Sequence, residues 1–228
     1  DAPTRERILM AASDLFAAQG YAGTSTRQIA TKVGMQQPSL FHHFSTKAAI
    51  MHELLRYSLE RPRRWKTILV KTPTDPATKL YCYCFLDIRH IASSPYNIAG
   101  LDHDNVTRLA EFNQWLSILK ELRDYRNVLV ADAVRTGQFI SWPVHPLQGS
   151  ISNIVLSLIQ RERKIRSSVS RASEVAHCVA SFLVRAMLAD TDDLPAIRAK
   201  AEEIRMTLID LESPQHSPLL PRQAKMGK

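Results

Sequence analysis

Apolar residues recur at helical spacing along most of this chain. Ile8, Ala12, Leu15 and Phe16 predict a helix over about 4–19, ended by Gly20. Ile29, Ala30 and Val33 form a second, shorter stripe. Leu40, Phe41 and Phe44 supply the apolar contacts of a third helix over about 37–44, and Ile50, Leu54 and Leu55 mark a fourth over about 46–59. Residues 60–75 are rich in Pro, Arg and Lys and read as a joint between domains. Beyond them Leu80, Cys84, Asp87, Ile88 and Ile91 share a helical face until Ser93-Ser94-Pro95 breaks it. A short helix is expected over about 96–101. One or two more follow over about 105–136, with Phe112, Trp115, Leu119 and Leu122 on a stripe closed by Gly137. Residues 138–148, with Pro143 and Pro146, read as a loop, and 213–228, with three further prolines, as a loose tail. No period-two alternation and no internal repeat interrupts this pattern.

Two late helices carry more apolar surface than one face requires. Ile151, Ile154, Val155, Leu158 and Ile159 fit the i, i+3, i+4, i+7, i+8 template, and Leu156 adds a second side. Over about 170–188, Val175, Val179, Phe182 and Ala186 form one face that Ala176, Leu183, Val184 and Met187 widen. A surface helix needs one apolar stripe. Girth of this kind points to burial against both the chain's own core and a partner chain. A last amphipathic helix is expected over about 194–211.

The segment 25–47 carries the most specific local chemistry. Ser25 and Gln28 have capping-box spacing. Gly34 follows Val33 where a helix would end in a left-handed residue. Pro38 falls in the first turn of the next helix, where its missing N–H costs nothing. Gln36, Gln37, Ser39, His42 and His43 are left to face outward. Two short helices around such a turn form a helix-turn-helix, whose second helix fits the major groove of B-DNA. Gln37 offers a donor and an acceptor to a base edge, and Pro38 an apolar edge for a thymine methyl. His42 and His43 offer donors to bases or phosphates, whereas Thr26, Arg27 and Lys47 suit phosphate.

Charge agrees with that reading. The 228 residues, 45% of them hydrophobic, carry a formal net charge of +8. Residues 1–72 hold 11 Lys and Arg against 5 Asp and Glu, whereas 73–228 hold 19 against 17. The excess thus lies with the helix-turn-helix, as phosphate binding requires. Cys82, Cys84 and Cys178 are odd in number and make no C-x-x-C pair. They read as small buried groups in a reducing, cytoplasmic setting. No apolar run is long enough to span a bilayer, and no secretory leader opens the chain. The chain begins on Asp1 rather than Met, which reads as a trimmed N-terminus.

From Thr26-x-x-Ile29-Ala30-x-x-Val33-Gly34-Met35 through Gln36-Gln37-Pro38-Ser39-Leu40-Phe41-His42-His43-Phe44 to Lys47, the chain resembles the DNA-binding domain of TetR-family transcriptional regulators. The resemblance spans about residues 4–55. It departs at Phe41, where the family usually has a Tyr whose hydroxyl reaches a phosphate, and at Met35, where Val is common. It implies an all-α protein: a helix-turn-helix DNA-binding domain over 1–47 and a larger helical ligand-binding and dimerisation domain over 48–212. It implies a homodimer that binds a palindromic double-stranded operator, represses, and is released by a small-molecule effector. No cofactor is implied. The DNA-contacting set is Thr26, Arg27, Gln36, Gln37, Pro38, Ser39, Phe41, His42, His43 and Lys47. The dimer face takes Ile151, Ile154, Val155, Leu158, Val175, Val179, Phe182, Leu183 and Ala186. Candidate pocket residues are Phe85, Ile88, Tyr96, Phe112, Trp115 and Leu119, with Asn153 and His177 as polar groups within apolar patterns.

Two other classes compete. Asp87 and His90 lie three apart on one helix, and Asp102-His103-Asp104 follow in a short segment, a composition that suits a metal-dependent helical phosphohydrolase. The other is an effector-independent DNA-binding protein, against which the size of residues 76–211 argues. No nucleophile elbow, phosphate loop or zinc-finger spacing is present.

Overall fold

The structure is a computed structural model that describes residues 3–101, 103–141 and 169–211. The described residues are helical, with no β-strand beyond a single bridge between Phe139 and Leu188. The order is α1 (Thr4–Gly23), α2 (Thr26–Val33), α3 (Gln37–His43), α4 (Lys47–Lys71), α5 (Pro76–Ser93), α6 (His103–Val106), α7 (Asn113–Arg135), α8 (Val169–Arg185) and α9 (Leu194–Leu211). Short 3-10 turns at Ile98–Gly100, Ala110–Phe112 and Thr191–Asp193 join them. The expected elements at 151–159, the tail 213–228 and most of the loop 138–148 lie outside the described residues, as do Ile151, Asn153, Ile154, Val155 and Leu158.

The first helix is broken at Gly20, as expected: that residue takes φ 77°, a non-helical conformation glycine reaches without a Cβ penalty, and a separate turn follows to Gly23. Two expectations are corrected. Residues 60–71 are not a joint: α4 runs straight through Pro62 to Lys71. Leu59, Pro62, Trp65 and Leu69 are all buried along that stretch, and this apolar stripe outweighs the single N–H that Pro62 removes from the ladder. Finally, α5 is not a one-faced helix. Leu80, Tyr81, Cys82, Tyr83, Phe85, Leu86 and Ile88 are all buried, because α4, α7, α8 and α9 pack around it.

Two cores result. The body core joins α5 to Leu129, Val130 and Ala133 of α7, Ala176, Ala180 and Val184 of α8, and Ile197 and Ala201 of α9. Alanines on the inner face of α8 let it approach α5 closely. Asp75 caps α5 by accepting from the Thr78 N–H at 2.8 Å, and it also accepts from Gln138 at 2.9 Å and Lys200 at 3.2 Å. Burial works against this carboxylate, but those donors prevail and hold it well below its ordinary range. The second core belongs to the N-terminal head. It runs from Ile8, Phe16, Ile29, Leu40 and Leu54 into Tyr96, Ile98, Phe112, Trp115 and Leu122. The head is therefore packed on residues 96–122 rather than tethered to them.

Candidate nucleic-acid interface

The helix-turn-helix is closed by side chains at nearly every helix end. The Ser25 hydroxyl accepts from the Gln28 N–H at 3.2 Å, and the Gln28 side chain accepts from the Ser25 N–H at 2.7 Å, which completes the capping box. Gly34 takes φ 78° and donates its N–H to the last turn of α2. Arg7 donates to the Val33 carbonyl at 2.7 Å, and Arg5 to the His43 carbonyl at 2.9 Å. These arginines thus satisfy carbonyls that α2 and α3 leave open. Sequence reasoning missed both, since only the fold brings residues 5 and 7 to residues 43 and 33.

Pro38 sits at the start of α3, as its chemistry demands. Leu40 is buried and fixes the helix on the head. Gln36, Pro38, Ser39, His42 and His43 are exposed together with Arg27. Gln37 is half-buried, and its amide donates to the Thr26 hydroxyl at 2.9 Å. One candidate DNA residue thereby orients another, and the Gln37 carbonyl oxygen and second N–H stay available. Phe41 is 43% exposed, an apolar ring on the outer surface of the reading helix.

Lys47 has a structural task that its sequence position did not reveal. Its ammonium donates to the Tyr21 and Thr24 carbonyls, each at 2.8 Å, and lies 4.2 Å from the centre of the Tyr21 ring. It ties the end of α1 to the start of α4.

The head meets the body through a dense joint. The Asn97 N–H donates to the Ser13 hydroxyl at 2.9 Å, and both residues are buried. Gly100 lies so close to α1 that a Cβ there would stand 2.4 Å from the Ala17 Cβ. Tyr21 stacks edge-on against Phe112 at 5.2 Å, and its hydroxyl donates to Glu111 at 3.1 Å. His52 packs on Phe112 at 4.8 Å and accepts from the Trp115 indole at 2.9 Å.

The candidate pocket residues do not converge on one place. Tyr96, Phe112, Trp115 and Leu119 belong to the head's core and this joint. Phe85 and Ile88 lie in the body core. His177 packs on Phe85 at 4.4 Å, and its Nδ1 is 3.2 Å from the Tyr81 hydroxyl. On the candidate dimer face Phe182 is 64% exposed and Ala186 is also exposed, Val175 and Val179 are half-buried, and Leu183 turns into the chain's own core. The metal reading loses its partner at His90. That imidazole is buried, donates to the Tyr57 carbonyl at 3.0 Å, and is lowered to about 4 by burial and then by Arg61. Among the described residues no three His, Cys, Asp or Glu side chains gather as a metal would require. Asp102 lies outside them, while His103 and Asp104 open the single turn of α6. Burial pushes the Cys82 and Cys84 thiols up to about 12, which keeps them protonated.

An exposed recognition helix on a capped tri-helical head, seated on an all-helical body, defines a helix-turn-helix transcription regulator. Residues 8–54 match the model of the bacterial regulatory proteins of the tetR family. It is 27% identical to the transcriptional repressor KstR2 of Mycolicibacterium smegmatis, over 60% of this chain and 68% of that one. It is 34% identical to KstR2 of Mycobacterium tuberculosis, over 38% of this chain and less than half, 44%, of that one. Among solved structures, AmtR of Mycobacterium smegmatis superposes with a TM-score of 0.67 at 25% identity, covering 89% of this chain and 95% of that one. The protein is a DNA-binding transcriptional regulator. Among the described residues no helix is long and apolar enough to cross a membrane.

Proposed function

We propose that the chain is a repressor that binds an inverted-repeat operator as a homodimer and is released by a small molecule held in its body. The observation that carries this is the outer face of α3, where Gln36, Pro38, Ser39, His42 and His43 are exposed and the half-buried Gln37 lies among them, beside Arg27 and Thr26. These eight, with Phe41 and Lys47, form the DNA-contacting set. Gln37 reads a base edge, its amide steadied by Thr26. Arg27, Thr26 and Lys47 bind phosphate and set the register.

The dimer rests on α8. An exposed Phe182 beside Ala186, Val175 and Val179 is an apolar surface that a second copy would cover, together with Ile151, Ile154, Val155 and Leu158. The release step rests on the joint. Phe112, Gly100 and Asn97 connect the body rigidly to α1, so a change in the body's packing re-aims α3. Such coupling needs only about 1–3 kcal/mol. One structure of similar fold, AibR, with a TM-score of 0.58 at 17% identity, was solved with isovaleryl coenzyme A and operator DNA, which favours an effector-bearing body.

Selection of bound sequences from a random duplex pool tests the reading. Two half-sites in inverted repeat, about one helical turn apart or a multiple of it, are expected. Gln37→Ala should then flatten base preference at one position of each half-site by about 1–3 kcal/mol. An unenriched pool, or a Gln37→Ala profile identical to the parent's, overturns it.

A further inference from the structure

Four of the links described above join the head to residues 97–115, and they differ in what a proton can do to them. The Asn97 N–H on the Ser13 hydroxyl involves no titratable group, and neither does the close approach of Gly100 to Ala17. The Tyr21 hydroxyl donates to Glu111, and burial, then Glu111 itself, pushes that hydroxyl up, so it keeps its proton. The fourth link is His52 on α4. Imidazole is the side chain whose charge ordinarily changes between pH 5 and 8.

Two donors converge on one nitrogen of that ring. The Trp115 indole N–H donates to His52 Nδ1 at 2.9 Å, and the Gln114 amide nitrogen lies 3.3 Å from the same atom. Indole and amide nitrogens donate and do not accept, so Nδ1 is bare and the neutral ring carries its hydrogen on Nε2. The ring is set edge-on against Phe112 at 4.8 Å, which holds Nδ1 where the donors meet it. Trp115 is buried in the head's core although it stands on α7. A proton on Nδ1 would turn the acceptor into a third donor. The indole N–H would then meet an N–H in a buried place, where an unpaired donor is costly. The charged groups of the surrounding elements are engaged with other partners. On α4, Glu53 is held by Arg56 and Arg5, and Lys47 is bonded to carbonyls of Tyr21 and Thr24. Before α7, Glu111 accepts from Tyr21 of α1.

We propose that His52 is a positioning residue for operator reading: its bare Nδ1 holds Trp115 and so fixes the head on the body, and a proton taken up there releases Trp115 and lets the head turn. This rests on the operator-binding reading for its purpose, but its first test needs no DNA.

The chain's three tryptophans give three indole N–H resonances, and Trp115→Phe identifies one of them. In the full nitrogen-15-labelled chain taken from pH 8 to pH 5, that resonance should move with the same midpoint as the His52 ring nitrogens. At pH 8 the His52 Nδ1 should show the shift of a bare nitrogen. His52→Asn sets an amide oxygen where Nδ1 stands and takes up no proton, so the Trp115 resonance should hold still to pH 5. His52→Phe keeps a ring against Phe112 without the acceptor, and should show the released resonance already at pH 8. Binding is read next, as the ratio of affinities for the selected operator and a scrambled duplex. His42 and His43 are present in every variant, so the comparison with His52→Asn cancels their part. From pH 8 to pH 5 the parent should lose about fivefold or more of that selectivity relative to His52→Asn, the lower end of ordinary coupling between sites. A His52 ring that stays neutral to pH 5, a Trp115 resonance that ignores its titration or moves equally in His52→Asn, or a selectivity equally pH-dependent in both proteins would overturn the proposal. Selective operator binding with a still indole sinks the role of His52 alone; a moving indole in a protein that selects no duplex leaves the link standing and sinks the regulator reading.

Discussion

The head and the body hold their helices by different means. In the head, α2 has 8 residues and α3 has 7, lengths at which an isolated helix does not form in water. Ser25, Gln28, Gly34, Arg5, Arg7 and Lys47 close their ends or tie them to the neighbouring helix. In the body, α5 has 18 residues and α7 has 23, and apolar area does the work: α5 is buried over most of its surface, with Cys84, Asp87 and Ile91 half-buried. A reading head must show one helix face to DNA, so it cannot bury that helix all round. Capping replaces the burial it gives up. The body shows no such face along α5, and packs freely.

The contrast is bridged at Phe112, which is fully buried in the head's core although it belongs to the body's stretch of chain. Phe112→Ala should cost about 3–5 kcal/mol in urea or thermal melts. Hydrogen exchange should show the amides of α1 losing protection along with those at the start of α7. Unchanged protection in α1 would mean that the head stands by itself and that the joint transmits nothing.

The body's buried polar groups give the next largest effect. His90 is held at about 4 by burial, against about 6.5 when unfolded. The native state therefore resists protonation where the unfolded chain accepts it. This stability is complete above about pH 6.5 and is lost as pH falls toward 4. Between pH 7 and pH 5 the loss should be about 2 kcal/mol, read from urea melts, and His90→Gln should flatten that slope. The same slope in the variant would place the titration elsewhere.

The head was legible in the sequence because its fold signals are local. Ser25 with Gln28, Gly34 and Pro38 each act within a few residues of themselves, so spacing alone located α2, the turn and α3. What stayed hidden was every partner far along the chain: Arg5 at His43, Lys47 at Tyr21, Ser13 at Asn97. The body repeats the lesson. Helical period gave α9 its bounds and α5 nearly so, but a stripe on α5 could not report that four other helices surround it. The pocket candidates failed to converge for the same reason. Phe85 and Phe112 are both aromatic at helical spacing, and only packing assigns one to the body core and the other to the joint. Pro62 misled because its local rule, helix interruption, lost to the apolar stripe on either side.

The smallest expected effect is the sharpest test of the contrast. Ser25→Ala removes the hydroxyl that accepts the Gln28 N–H and donates to the Gln28 side-chain oxygen at 2.9 Å. If capping does in the head what burial does in the body, this exposed substitution should cost about 1 kcal/mol. Ser25→Gly should cost only a few tenths, because glycine leaves the N-terminal amides open to water. An alanine no worse than the glycine in paired thermal melts would mean that tertiary packing alone holds α2. The head would then be a small copy of the body, and the six end-closing residues would be incidental to its fold.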